Sequence, residues 1–268
     1  EIEYTIIWGT FEDGETAGEA GSEDEECISP KTPFGKRDAA LSEIVFDGSA
    51  PDEKEELLHA EGFDIFRYDD ASVIRIYGVG DYLLLPADAP KIPKITDADR
   101  NDLVNITIIR KPVSRTYLVS TSAMDLVMAL DALMNVRFSP LAAEEWHLED
   151  VRRAIDENQM LYAGKYRAPD YELLIGEGCD LAVENTMIDH NPEVKEKLEE
   201  LGIPVIVETS SYETDPLGRL EWIKLYGELF DVAGKAKDIY NEKIAALRPV
   251  LDSSGESRTV ACFYVSAT

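Results

Sequence analysis

The chain has 268 residues, 44% of them hydrophobic, and its 54 Asp and Glu against 26 Lys and Arg give a net charge of −28. That balance excludes nucleic acid and anionic membrane as direct partners and leaves cationic partners or metal complexes open, with solubility or salt adaptation as the bland alternative. The length allows one large core or two modest ones, no apolar run approaches the roughly 20 residues that cross a bilayer, and Cys27, Cys179 and Cys262 form no disulfide framework.

Residues 1–10 read as a strand, and no charged-then-apolar leader opens the chain, which says little about compartment because processing removes such leaders. Between Glu12 and Glu26 stand eight acidic residues, no basic ones, and Gly14, Gly18 and Gly21, a solvated mobile linker. Asp52 to Gly62 reads as a short helix ending on a glycine. Residues 1–60 are accordingly an acidic, partly flexible extension.

From Phe63 to Pro86, alternating β-branched, aromatic and polar residues predict three strands of an antiparallel meander, with turns at Asp69-Asp70 and Gly78 to Asp81. Gly78-Val79-Gly80 is only half of a dinucleotide fingerprint and lies in a hairpin, so it is discounted. Asn105 to Pro112 and Arg115 to Ser120 are two further strands. Ser120, Thr121 and Ser122 are placed to cap a helix from Met124 to Leu133, leaving free N–H groups at the carboxyl edge of a sheet, where open α/β sheets bind ligands.

Leu161 to Glu208 is the most regular stretch. A short apolar run ends at Tyr166, and Pro169 and Asp170 open a helix from Tyr171 to about Gly178. Cys179 to Asn185 is a buried strand; Asn191 and Pro192 start a second helix that ends at Gly202, and Ile203 to Val207 is the next strand. Two successive strand-helix units need a parallel sheet with right-handed crossovers. After Asp215 the chain is helical, interrupted near Asp231. Ala236, Ile239, Tyr240, Ile244, Leu247 and Leu251 make one stripe on a long helix that Pro249 kinks or ends. A turn at Asp252 to Ser257 leads to a final strand, Thr259 to Thr268. The fold class is α/β: a Rossmann-like lobe with a parallel central sheet flanked by helices, an antiparallel meander before it and a long helix after it.

GKYRAPDYELLIGEGCDLAVEN and GIPVIV followed by PLGRLEWIKLYGELF, in this order of elements, closely resemble the class III substrate-binding proteins of ABC importers over about Phe63 to Thr268. The resemblance implies two α/β lobes joined by a rigid helix, with a ferric siderophore, haem or corrinoid held between them and delivered to a membrane permease. It implies no enzyme activity and no cofactor, and a periplasmic or cell-surface lipoprotein location. On this pattern 61–230 is the N-terminal ligand-binding lobe, 231–252 the connecting helix and 258–268 the first strand of a C-terminal lobe whose remainder is truncated or supplied by a second chain.

The resemblance places Tyr166 and Asn185 on the ligand-facing wall, where the ring of Tyr166 suits a planar ligand; Asn185 stands where some cobalamin binders have an aromatic residue. Glu172 matches a glutamate that meets arginines of the permease, the alternative being that it merely complements its helix dipole. Ser120, Thr121 and Thr186 are further ligand candidates at strand ends, with caps and turns as their ordinary roles. Trp146 lines the cleft or covers the core, Tyr212 and Glu213 are rim candidates, and Arg219 suits an anionic ligand or a helix end. His59, His147 and His190 have no zinc spacing, and no nucleophile elbow or phosphate loop is present. The rival reading is an α/β enzyme acting on a small anionic substrate at the same edge; a surface adhesion or scaffold module is a third.

Overall fold

A computed structural model describes residues 45–46, 50–89, 92, 95–96 and 106–251. Nearly all of them lie in one compact unit, Thr32–Ala246; the last helical turn, from Leu247, falls in a second unit formed by Glu1–Lys31 and Leu247–Thr268. The strands expected at 1–10 and 259–268, the acidic linker, Cys27 and Cys262 lie outside the described residues.

The meander forms as its alternation predicts. β1 (Val45–Phe46) pairs antiparallel with β6 (Ile95–Thr96) as a separate ribbon, while β2 (Glu53–Lys54), β3 (Phe63–Tyr68), β4 (Ala71–Ile76) and β5 (Gly80–Pro86) run antiparallel in sequence. Asp69 at φ 38° and Gly78 at φ 78° make the two turns, a backbone region open to these residue types. β7 (Ile106–Lys111) then joins β5 in parallel, completing a five-stranded sheet.

Asp52 to Gly62 is not a helix. β2 takes its start, and Glu55 to Gly62 is a loop in which the Leu58 to Gly62 amides point at two carboxylates more than 150 residues away in sequence. Leu58, His59 and Ala60 donate their N–H groups to Glu221 at 3.0, 2.7 and 2.8 Å, and Glu61 and Gly62 donate to Glu213 at 3.0 and 2.9 Å. Buried carboxylates thus satisfy donors that a helix would have paired internally, and tertiary structure overrides local propensity. Glu55 and Ala60 are buried, and Ala60 belongs to the main core.

β8 (Thr116–Leu118), β9 (Val136–Ser139), β10 (Leu161–Tyr162), β11 (Leu181–Asn185) and β12 (Val205–Glu208) form the second sheet, all parallel, in the order β10-β9-β8-β11-β12. The helices are α1 (Met124–Ala129), α2 (Glu149–Asp156), α3 (Tyr171–Gly176), α4 (Pro192–Glu200), α5 (Pro216–Glu221), α6 (Ile223–Leu229) and α7 (Ala233–Leu251). β11 shows the two-residue period of a strand buried on both faces. Leu181 and Val183 enter the main core with the meander's Phe63, Ile74 and Leu84, whereas Ala182 joins a second core with Leu174 of α3 and Val194 and Leu198 of α4.

α1 is shorter than its leucine spacing predicts. It stops at Ala129, and Asp131, at φ 53°, turns the chain into a 3-10 turn at Leu133–Asn135. Ser120, Thr121 and Ser122 make no capping hydrogen bond to it. Nor is Pro169 the first residue of α3: Asp170 is the cap, accepting from Leu173 N–H at 3.0 Å. Asn191 precedes α4 in the cap position, but its side-chain amide donates to His190 O at 2.6 Å instead.

α6 is buried on every side, as a helix through a core must be. Its two charges are paired: Lys224 lies 3.0 Å from Glu55 and 2.9 Å from Glu221, and Glu228 lies 2.6 Å from Arg67 of β3. α7 spans the predicted residues and holds Ala236 and Tyr240 fully buried, with Pro249 inside its last turn.

Candidate functional site

Five parallel strands deliver their carboxyl ends to one edge. Register sets the row: Asn185 of β11 is level with Glu208 of β12, and the amides of Val119 and Ser120 both donate to Val183 O, at 2.8 and 3.1 Å. Ser120, Asn185, Thr186 and Glu208 are therefore neighbours at the end of the sheet, with Tyr166 following β10 at its far side and Tyr212 following β12. Tyr166 thus follows, and Asn185 ends, strands that finish at the same edge of the sheet.

Most of the hydroxyls in this row are already engaged. Ser120, only 2% exposed, donates to Glu208 Oε2 at 2.8 Å across the end of β11, while Glu208 Oε1 accepts from Ser210 N–H at 2.9 Å. Thr186 Oγ1 and the Tyr212 hydroxyl are 3.0 Å apart, and Asn185 Oδ1 accepts from Met187 N–H at 2.9 Å, opening a 3-10 helix at Thr186–His190. These bonds fix the strand ends and tie neighbouring loops together.

Trp146 covers the core rather than the rim. It is 6% exposed, and its indole donates to Ser139 Oγ at 2.9 Å at the end of β9. Glu213 is buried under the Glu61-Gly62 amides and also accepts from Trp222 Nε1 at 2.9 Å. Arg219 is exposed and donates to Ser211 O, so it braces the turn after β12. What remains open to a ligand is Thr121, the half-buried Tyr166, Asn185, Thr186 and Tyr212, and two residues the sequence did not single out: the exposed Arg167 and Met187.

Tyr166 sits on a loop with little freedom. Gly164, at φ 83°, has no room for a Cβ, which would press on the Ala168 carbonyl oxygen. The buried Tyr117 of β8 donates its hydroxyl to Gly164 O at 2.5 Å, and Asp170 N–H closes the loop on Ala163 O at 2.8 Å. Lys165 pairs with Glu145 at 3.0 Å, leaving Arg167 as the loop's cation without a described partner. Glu172, in the first turn of α3, is exposed.

The hollow at the β11-β12 end of the rim holds only about 110 Å3, between the Tyr77–Val79 turn and Thr186, Lys195 and Thr209. A larger open groove of about 530 Å3 lies at the other end of β12, beside Gly202 to Val205 and β7. A drug-sized ligand needs roughly 300 Å3 or more with most of its surface covered. The hollow at this end of the rim is too small to enclose such a ligand.

Sequence reasoning missed the buried acids. Glu184 of β11 is fully buried, and neither carboxyl oxygen has a hydrogen-bond partner among the described residues; burial pushes its pKa up to about 8. The signal was present as an acid at an inward position of an apolar strand, two residues after Ala182 on the same face. Among the described residues no group of His, Cys, Asp and Glu is arranged to hold a metal ion, and no helix is long and apolar enough to cross a membrane.

No protein-family model matches the chain. An uncharacterized lipoprotein of Methanocaldococcus jannaschii is 24% identical over 145 residues, covering 52% of this chain and 34% of the relative. Among solved structures, a periplasmic haem-binding protein from Pseudomonas aeruginosa matches at 19% identity and a TM-score of 0.41 over 52% of this chain and 46% of its own. MolA, the molybdate periplasmic binding protein of a Haemophilus influenzae ABC transporter, matches at 16% identity and a TM-score of 0.44 over 59% and 52%. The chain spans about a third to a half of the length of the curated relatives it matches, and these structural neighbours are periplasmic binding proteins, the kind of protein its sequence resembles.

Proposed function

We propose that this chain carries the first lobe of an extracytoplasmic substrate-binding protein that delivers an iron complex, a siderophore or haem, or else a corrinoid, to an ABC importer. The observation that carries the reading is the rim: one edge of a parallel sheet presents Tyr166, Asn185, Thr186 and Tyr212 together, on strand ends locked by the Ser120–Glu208 and Thr186–Tyr212 bonds. An aromatic and polar wall without a closed pocket suits a ligand clamped by a second wall, from further sequence or from another chain. α7 is then the helix that joins the lobes. Glu172 faces solvent on α3, where a carboxylate receives a guanidinium of the permease, and anchoring as a lipoprotein fits the curated relatives' description.

The ring of Tyr166 and the guanidinium of Arg167 favour a flat ligand with peripheral carboxylates over a corrinoid, for which Asn185 offers no aromatic face. The test uses the full-length protein. Calorimetric titration with a panel of ferric siderophores, haemin and cyanocobalamin should find one ligand that binds without being consumed, and Tyr166→Ala should weaken it at least tenfold. Binding unaffected by Tyr166→Ala, or turnover of the ligand, would refute the proposal.

A further inference from the structure

Thr209, just past the end of β12, carries a hydroxyl that the fold does not use. The residue is 2% exposed, and its Oγ1 has no hydrogen-bond partner among the described residues, although burying a hydroxyl without one costs a folded chain free energy. It lines the hollow of about 110 Å3 at the β11-β12 end of the rim, together with Thr186, Asp189, Lys195 and the Tyr77–Val79 turn. That volume is room for a few waters or one small ion, well short of the roughly 300 Å3 an organic ligand needs.

Lys195 is a second group of this lining without a structural role. It is half-buried in the first turn of α4, and its ammonium makes no ion pair or hydrogen bond among the described residues, whereas Lys165, Lys197 and Lys235 each pair with a carboxylate. It stays unpaired in a chain of net charge −28, with Glu199 one turn further along the same helix. Helical side chains lean toward the N-terminus of their helix. Thr186 and Asp189, which line the hollow, precede α4, whereas the larger groove that Lys195 also borders is lined by Gly202 to Val205, beyond the other end of the helix. The lean therefore carries the ammonium toward the hollow. Thr186 Oγ1 and the Tyr212 hydroxyl share one hydrogen bond at 3.0 Å, so with Tyr212 as its donor the Thr186 proton is left for another acceptor. The Tyr77 hydroxyl is committed, donating to Asp64.

An ammonium and two hydroxyl donors around a space of this size match the oxygens of a small oxyanion. We propose that the hollow is an oxyanion recess, in which Lys195 supplies the charge and Thr209 and Thr186 donate hydrogen bonds to a carboxylate, phosphate or sulfate group. Asp189 is the carboxylate of the lining; exposed, it repels an anion through solvent and so limits the affinity. The opposite assignment, a cation site, would set Lys195 against the ion, and no group of metal-holding side chains is present among the described residues. The oxyanion has two sources, a free inorganic ion or the carboxylate arm of a larger molecule lying on the wall. The second rests on the function proposed above; the recess itself does not.

Amide 1H–15N spectra of the full-length protein, titrated with sodium phosphate, sulfate or acetate against sodium chloride at matched ionic strength, test the recess. Saturating shifts at Thr186, Lys195 and Thr209 are expected with the oxyanions and not with chloride. Lys195→Gln should raise the apparent Kd about tenfold or more and Thr209→Val about threefold or more, while Asp189→Asn should lower it. Thr209→Val should leave the Tm unchanged or raise it, because the hydroxyl it removes has no partner; a clear fall would make that hydroxyl structural and overturn its role here. No shift beyond that of chloride, or shifts that survive Lys195→Gln, would overturn the recess and leave the hollow to water, and saturation by calcium chloride instead would overturn it in favour of a cation. Calorimetry separates the sources. Micromolar saturation by phosphate marks a free ion, whereas millimolar saturation, with Lys195→Gln weakening haemin about tenfold and haemin dimethyl ester little, marks the arm of a larger ligand. A recess that takes phosphate in a protein that binds no siderophore, haemin or corrinoid would overturn the functional reading and leave the recess standing.

Discussion

Glu221 joins the start of the lobe to its end, and Glu221→Gln measures what that junction contributes. Oε1 accepts from Leu58 N–H at 3.0 Å and from Lys224 Nζ at 2.9 Å, and Oε2 accepts from His59 and Ala60 N–H at 2.7 and 2.8 Å. An amide retains one acceptor and turns the other into an NH2 facing two donors, so two charge-assisted bonds are lost and two buried donors are orphaned. At about 1.5–3 kcal/mol each, checked against the 3–5 kcal/mol typical of breaking a buried pair, the cost is about 4 kcal/mol. That is a large share of the 5–15 kcal/mol that holds a domain together, and equals a fall in Tm of roughly 10 °C at this size. Burial alone would raise the Glu221 pKa, but Lys224 and the three amides hold it below 4.5. The contribution is therefore present above pH 4.5 and lost as pH falls through the lowered value. Urea denaturation followed by circular dichroism at pH 7 and again near pH 3 reads both statements. A Gln variant within 1 kcal/mol of wild type at pH 7, or a gap that persists unchanged in acid, would refute the reasoning.

Gly164→Ala should destabilise the lobe by about 2 kcal/mol, because φ of 83° costs a side chain roughly 1–2 kcal/mol before the contact with Ala168 O is added; thermal melts check this, and a change under 0.5 kcal/mol would show the loop to be adaptable. On the proposed function, Glu172→Arg in the full-length protein should leave ligand affinity and stability unchanged, since the residue is exposed and makes no described bond, while weakening capture by the proposed permease partner at least tenfold in an interferometry titration. Unaltered capture would leave Glu172 with nothing beyond its helix-dipole role.

The parts of the fold legible in the sequence are those decided locally. Pro192 and Gly202 bracket α4, and Gly202 adopts the φ of 80° that a helix-ending glycine supplies. Alternation fixed β3 to β5, and the apolar run of β11 marked a strand covered on both sides. What escaped was decided at long range. Glu55 to Gly62 has helical composition, yet the amides of Leu58 to Gly62 are taken by Glu213 and Glu221, more than 150 residues away. β9 and α2 went unassigned because Arg137 interrupts the four-residue strand, and α2 shows the core only Val151 and Ala154. The site followed the same division: Tyr166 and Asn185 were visible as strand-end residues, whereas the burial of Ser120 and Trp146 depends on Glu208 and Ser139 lying opposite them.

The buried acids among the described residues are of two kinds. Glu208, Glu213, Glu221 and Glu228 are buried as acceptors for specific donors, so each fixes a loop or strand end and resists solvent exchange. Glu184 is buried with no donor among the described residues, and its burial disfavours its charged form. A lobe that needed only stability would carry an alanine or leucine there, since every neighbour on that face is apolar or neutral apart from Glu193 near Tyr171. Keeping a carboxyl one residue before Asn185 costs stability at neutral pH at a strand end of the proposed ligand wall.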